Sequence, residues 1–358
     1  MESNKSKVDF SEELSLKFNL KTLIIVLLFV AGLYLLIPRL VGMEQVLKLI
    51  FKVNPFYLIL AILVEFVSYC AAAWLLGIIL LRLGHKIRFW ERFKIGSIAA
   101  FSIHFFPLGS LGQGAVDYFF LRRRDVPSGS IFIMLILRII FTYAAFLLLF
   151  LVGLILVPTV PSLPFSPKLV SGILFLMGAF IVIYLVYLYH HRTRFLRVWT
   201  KYFGKINRIL LFLKRKPVSE QKQEDIFGDI YSGIGLFGNK KRTSAMALFA
   251  GVLYWLGDIF CLYFVFKGFG YVVPLGVLFF AYGVGTLAGL ISMVPGGVVV
   301  TEGFLSLAFA ALGVPISTAV TVILVFRFFS FWIWIPVGLF SFITLIKNEK
   351  KTQNRAKS

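Results

Sequence analysis

The chain has 358 residues, 59% of them hydrophobic, with a mean hydropathy of +0.90 and a formal net charge of +21. A soluble domain of this size cannot bury so much apolar surface, which excludes a soluble enzyme and makes lipid the second solvent. The basic excess has no recognition motif or stacking platform beside it, so nucleic-acid binding is not expected either.

Crossing about 30 Å of hydrocarbon takes roughly 20 apolar residues. In chain order, runs of that length fall at about 20–38, 56–81, 130–157, 168–189, 244–266 and 316–346. The first, Thr22 to Ile37, lacks a small-residue cleavage pattern and is expected to remain as a helix, not to leave as a signal peptide. Two more apolar stretches, about 95–121 and 274–312, are broken in the middle by Pro and Gly. Residues 190–213 put Phe195, Trp199, Tyr202, Ile206, Ile209 and Leu213 at helical spacing opposite Arg197, Lys201, Lys205 and Arg208. That pattern predicts a helix in the headgroup layer, with the polar stretch Pro217–Asp229 after it as a mobile loop.

The two broken stretches match. The first contains Pro107, Gly109, Gly112 and Gly114; the second contains Pro295, Gly296 and Gly297. Each leads to a Val-Pro pair (Val126-Pro127, Val314-Pro315) and then to a long apolar run with one arginine, Arg138 or Arg327. Leu83-Gly84 and Phe269-Gly270 close the helices that precede them. Landmarks at nearly constant separation indicate an internal duplication, with repeat 1 at about 56–157 and repeat 2 at about 244–346. Helix 168–189 and the basic segment 190–243 join them.

Lys and Arg cluster beside the apolar runs. With the N-terminus cytoplasmic, the tail 1–19, the loops 82–94, 122–124 and 190–243, and the tail 347–358 carry nearly all of them. The opposite side keeps Arg39, Lys48, Lys52, Lys168 and Lys267. This bias predicts cytoplasmic N- and C-termini in a cell membrane and a cationic collar for anionic lipids. It also gives the two repeats opposite orientations. The expected fold is an all-α polytopic membrane protein: about six transmembrane helices plus two re-entrant helical hairpins, in an inverted repeat within one membrane domain, 20–346. Ordinary kinked spans are the alternative, but they would leave Arg122, Arg123 and Arg124 outside.

Ionisable groups in apolar runs are costly unless paired or wet, and so mark candidate sites. Six stand out: Glu65, Asp117, Arg138, Asp258, Glu302 and Arg327, with His104 a weaker seventh. The arginines have the planar donors that match phosphate oxygens, and the carboxylates could balance them or carry a coupling proton. Arg138–Asp117 and Arg327–Glu302 fit equally well as structural ion pairs. Gly285 and Gly289 have the spacing of a close helix contact. Cys70 and Cys261 lie in apolar runs and suggest neither a disulfide framework nor a metal site. No phosphate loop or zinc-protease motif is present, and no cofactor is expected.

Pro295-Gly296-Gly297, Glu302-Gly303, Leu312-Gly313-Val314-Pro315 and Arg327, with Trp332 and Gly338, resemble the integral-membrane, flippase-like region of lysylphosphatidylglycerol synthases. The resemblance spans about 20–346 and is looser in the first half. It implies movement of an aminoacylated phospholipid or a polyprenyl-phosphate lipid between leaflets. Two-part members carry a soluble aminoacyl-transferase domain. This chain ends at Ser358, twelve residues after its last apolar run, so the stand-alone form is expected, without enzymatic activity. The expected function is a lipid flippase whose partners are anionic membrane lipids. A transporter of a small soluble anion or ion and a non-transporting membrane partner of a lipid-modifying enzyme are the alternatives.

Overall fold

A computed structural model describes residues 53–103, 109–157, 191–212, 240–292 and 299–357, with isolated positions between them. The architecture below is that of residues 52–358, which form one compact unit. Helix 20–38, most of helix 168–189, His104, Pro107, Pro295 and Gly296 lie outside the described residues.

All regular elements among the described residues are helical. They are α1 (Pro55–Arg82), α2 (Phe89–Ile103), α3 (Gly109–Arg122), α4 (Ser128–Leu156) and α5 (Arg192–Phe212). Then follow α6 (Lys241–Gly268), α7 (Leu275–Ile291), α8 (Val300–Ala311), α9 (Ile316–Arg327), a single wide turn (Phe328–Trp332) and α10 (Trp334–Lys357). Among the described residues, four segments are long and apolar enough to cross a membrane: α1, α4, α6 and the stretch Ile316–Lys347. Their lipid-facing sides are readable: on α1, Ile59, Ile62, Leu63, Phe66 and Val67 are exposed, while Ala61, Glu65, Ser68 and Ala71 are buried.

Local signals repeat along the chain. Asn54 caps α1 by accepting from the Phe56 N–H at 3.0 Å, and Pro55 begins it. Gly84 and Gly270 end α1 and α6 with φ of 87° and 76°. In each case the next residue donates back into the helix, His85 to the Leu80 carbonyl and Tyr271 to that of Phe266. Gly313 (φ 92°) closes α8, and Asp125 (φ 58°) makes the matching reversal after α3. Val126 and Val314 then donate to Leu121 and Phe309, and the Val-Pro pairs start α4 and α9.

Helices α1 and α6 form the central contact and run antiparallel. The Asn54 N–H donates to the Gly268 carbonyl at one end, the Ser68 hydroxyl to that of Tyr254 in the middle, and Trp74 meets Phe249 at the other end. A side chain on Gly257 would sit 2.6 Å from the Val64 carbonyl, so the backbones touch there. The remaining contacts are reciprocal. α2 packs on α3 and α7 on α8; α7 lies against α4, and α2 against α10. α7 and α8 fold back antiparallel, with Gly285 against Leu305 and Gly289 against Thr301.

Three sequence expectations change. Gly109, Gly112 and Gly114 belong to α3, so only 104–108 separates it from α2; a helix tolerates glycine in its opening turns, where few backbone bonds have yet formed. The run 316–346 is not one uniform helix. Pro336 has no N–H for the Trp332 carbonyl, and the backbone widens over Phe328–Trp332 just before it. Finally, 217–229 is not simply a loop. Residues 220, 221, 223 and 224 are helical, Gln223 and Phe227 are buried, and the Trp199 N–H donates to the Gln223 carbonyl. The apolar side of α5 therefore rests partly on protein, through Phe195 and Trp199 against Phe227.

Candidate functional site

The six ionisable residues fall into three pairs. Asp117 on α3 is fully buried, and its Oδ2 lies 2.5 Å from Arg138 Nη2 on α4. Glu302 on α8 lies 2.6 Å, through Oε1, from Nε of Arg327, the last residue of α9. The carboxylate and arginine are 21 residues apart in the first pair and 25 in the second. That difference is about one helical turn, and both pairs still close. Each fastens the second helix of a hairpin to the long helix that follows it. The Arg327 guanidinium also stands over the Phe331 ring, 5.6 Å from its centroid, at the wide turn.

The third pair was not foreseen as a pair. Glu65 on α1 and Asp258 on α6 come from opposite sides of the central antiparallel contact, and their carboxyls are within hydrogen-bonding reach of each other. Glu65 is 3% exposed, and its Oε2 has no hydrogen-bond partner. The Tyr282 hydroxyl of α7 donates to Asp258 Oδ2. Sequence reasoning passed over Tyr282, although a buried phenol hydroxyl in a largely apolar helix needs a partner and could have drawn notice. Aromatic rings enclose the group: Trp255 meets Tyr282, Phe146 and Tyr143, and its N–H donates 2.8 Å to the Thr142 carbonyl of α4. On the other side Tyr69 stacks on Trp334 at 3.6 Å.

At the second break, Gly297 takes φ 62° and faces Thr301 Oγ1 so closely that a Cβ would sit 2.4 Å away. Only glycine fits there. Val299, a β-branched residue, is held at φ 72° directly before α8 and is mostly exposed. This is a strained position of the kind found where backbone lines a functional site. Among the described residues, no cluster of three or more His, Cys, Asp or Glu could hold a metal ion.

Apolar helices with outward hydrophobic faces, holding paired charges between them, define a multi-pass α-helical membrane protein. The comparison with known sequences agrees: the chain belongs to the family described as the lysylphosphatidylglycerol synthase TM region, which it matches over residues 23–338. A UPF0104 membrane protein of Methanocaldococcus jannaschii is 24% identical over 331 residues, 90% of this chain and 95% of that one. UPF0104 membrane proteins of Methanothermobacter thermautotrophicus and Pyrococcus horikoshii are each 31% identical over shorter stretches. The first match spans 47% of this chain and 52% of the relative, the second 39% and 42%.

Proposed function

We propose that this protein moves a polar-headed lipid, an anionic or aminoacylated phospholipid or a polyprenyl phosphate, between the leaflets of the cell membrane. The observation that carries the reading is the pair of arginine–carboxylate clasps at equivalent places in the two halves, each with its arginine partly open. A guanidinium is a planar, permanently charged fork that suits phosphate oxygens, and a clasp that opens on binding trades one anion for another. Antiparallel packing of the equivalent helices α1 and α6 supports an inverted repeat. At 12 residues α8 is too short to cross a bilayer, so α7–α8 and its counterpart α2–α3 enter and return as re-entrant hairpins. Irregular backbone at that depth survives only beside protein or water, which supports the reading of a sheltered polar path next to each break. Basic residues on the cytoplasmic side, where both termini lie, gather anionic lipid at the entrance.

In vesicles reconstituted with the protein, fluorescent phosphatidylglycerol is expected to change leaflets. Arg138→Ala and Arg327→Ala should each slow this about tenfold or more, the worth of one charge-assisted contact of about 1.4 kcal/mol, while the protein still elutes as a folded species. Unchanged rates in both variants contradict the headgroup role. Uptake of free phosphate in place of lipid transfer would assign the same arginines to a soluble anion.

A further inference from the structure

The two arginine clasps account for four of the six charges within the apolar runs and leave Glu65 and Asp258. These two are not equivalent in the duplication, since Gly251 and Ala72 stand near the positions that would mirror them. The acid pair is therefore a single feature at the contact between the halves, with no copy elsewhere in the repeat. Two carboxyl groups can approach within hydrogen-bonding reach in an apolar setting only if a proton lies between them, because two like charges there repel strongly. Glu65 Oε2 is buried and receives no hydrogen bond from a protein donor, as expected of a carboxyl group set against another carboxyl. Tyr282 supplies the donor on the other side.

We propose that Glu65 and Asp258 form a proton-binding pair whose exchangeable proton travels with the lipid headgroup. The proposal rests on the flippase reading and names the ion that drives it. The groups facing the pair are Tyr69 from α1, Tyr254 and Cys261 from α6, and Tyr282 from α7, all neutral hydroxyls or a thiol. Behind Tyr254 stand Tyr143 and Arg138 of α4, and Arg327 of α9 acts on Asp258 across the contact of α6 with α9. On α2, Arg92 is turned to the Ala73 carbonyl, two turns along α1 from Glu65. Arg327 thus serves both its partner Glu302 and the charge on Asp258. An anionic headgroup bound at Arg327 screens that positive charge from Asp258, and the acid pair then keeps its proton while the anion is bound. By linkage, the proton favours the anion equally. Anion and proton therefore cross together, and a proton gradient can drive lipid against its own gradient.

The test uses the full chain in lipid nanodiscs and in vesicles. Infrared difference spectra between about pH 5 and about pH 9 are expected to show a titrating carboxylic C=O band in the wild type. The band should be lost in Glu65→Gln and in Asp258→Asn and kept, shifted, in Glu65→Asp. In vesicles, an imposed proton gradient should change the rate of fluorescent phosphatidylglycerol transfer by the wild type and not by Glu65→Gln. A titrating band that survives in both neutral variants, or no titrating band at all, overturns the proton site. Transfer that ignores the proton gradient but follows a sodium gradient overturns the coupling. Absence of lipid transfer in the wild type would defeat the flippase reading, and the infrared result would still decide the proton site by itself.

Discussion

At the scale of single residues, the two members of a clasp are not interchangeable in what their loss costs. A carboxyl left alone among apolar groups can take up a proton and become neutral, whereas a guanidinium stays charged. Asp117 is fully buried and Arg138 is 13% exposed. Asp117→Asn, which strands the guanidinium, is expected to destabilise the folded protein by about 3 kcal/mol. Arg138→Gln, which leaves a protonatable acid, should cost only about 1 kcal/mol. Thermal unfolding in detergent micelles would show the difference, and equal losses would mean that water reaches the pair freely. These four residues were legible in the sequence because a charge inside an apolar run is conspicuous and the duplication pairs them by position. The juxtaposition of Glu65 with Asp258 and Tyr282 was not legible. It depends on which faces of α1, α6 and α7 meet, and no local periodicity encodes that.

Among the elements, the antiparallel contact of α1 with α6 sets the geometry of everything between the halves. The helices approach until the Gly257 backbone touches Val64 and Ser68. Gly257→Ala is therefore expected to force the helices apart and cost about 1–3 kcal/mol, although alanine is the better helix former. Gly303→Ala, in α8 with open space around it, should fall within about 0.5 kcal/mol of the wild type. Melting temperatures of the two variants, purified side by side, check this, and equal behaviour would remove the close contact from the account. The long helices α1, α4 and α6 were readable to within a few residues because length and hydropathy alone define a span. The first break was read too long, since glycines that suggest a loop also fit the opening turns of α3. The wide turn at Phe328–Trp332 escaped because its cause, Pro336, lies beyond it and can equally be tolerated by a simple kink. The helical residues around Gln223 and Phe227 were hidden by polar composition, and their order comes from contacts with Phe195 and Trp199.

For the whole molecule, each half lends its hairpin to the long helix of the other: α7 lies on α4, and α2 on α10. Such an exchange binds the halves together, and the flippase proposed above requires each hairpin to hinge on its own clasp. The duplication and the charge bias led the sequence to suggest an inverted plan, because both are carried by landmarks spread along the chain. The claim under all of it is that the two breaks reach the bilayer interior from opposite sides. Cysteines introduced as Ser110→Cys and Val294→Cys, in a chain whose Cys70 and Cys261 are replaced by alanine, can be probed with a membrane-impermeant maleimide in oriented vesicles. The account predicts labelling of position 110 from the cytoplasmic side only and of position 294 from the opposite side only. Labelling of both positions from one side would contradict it.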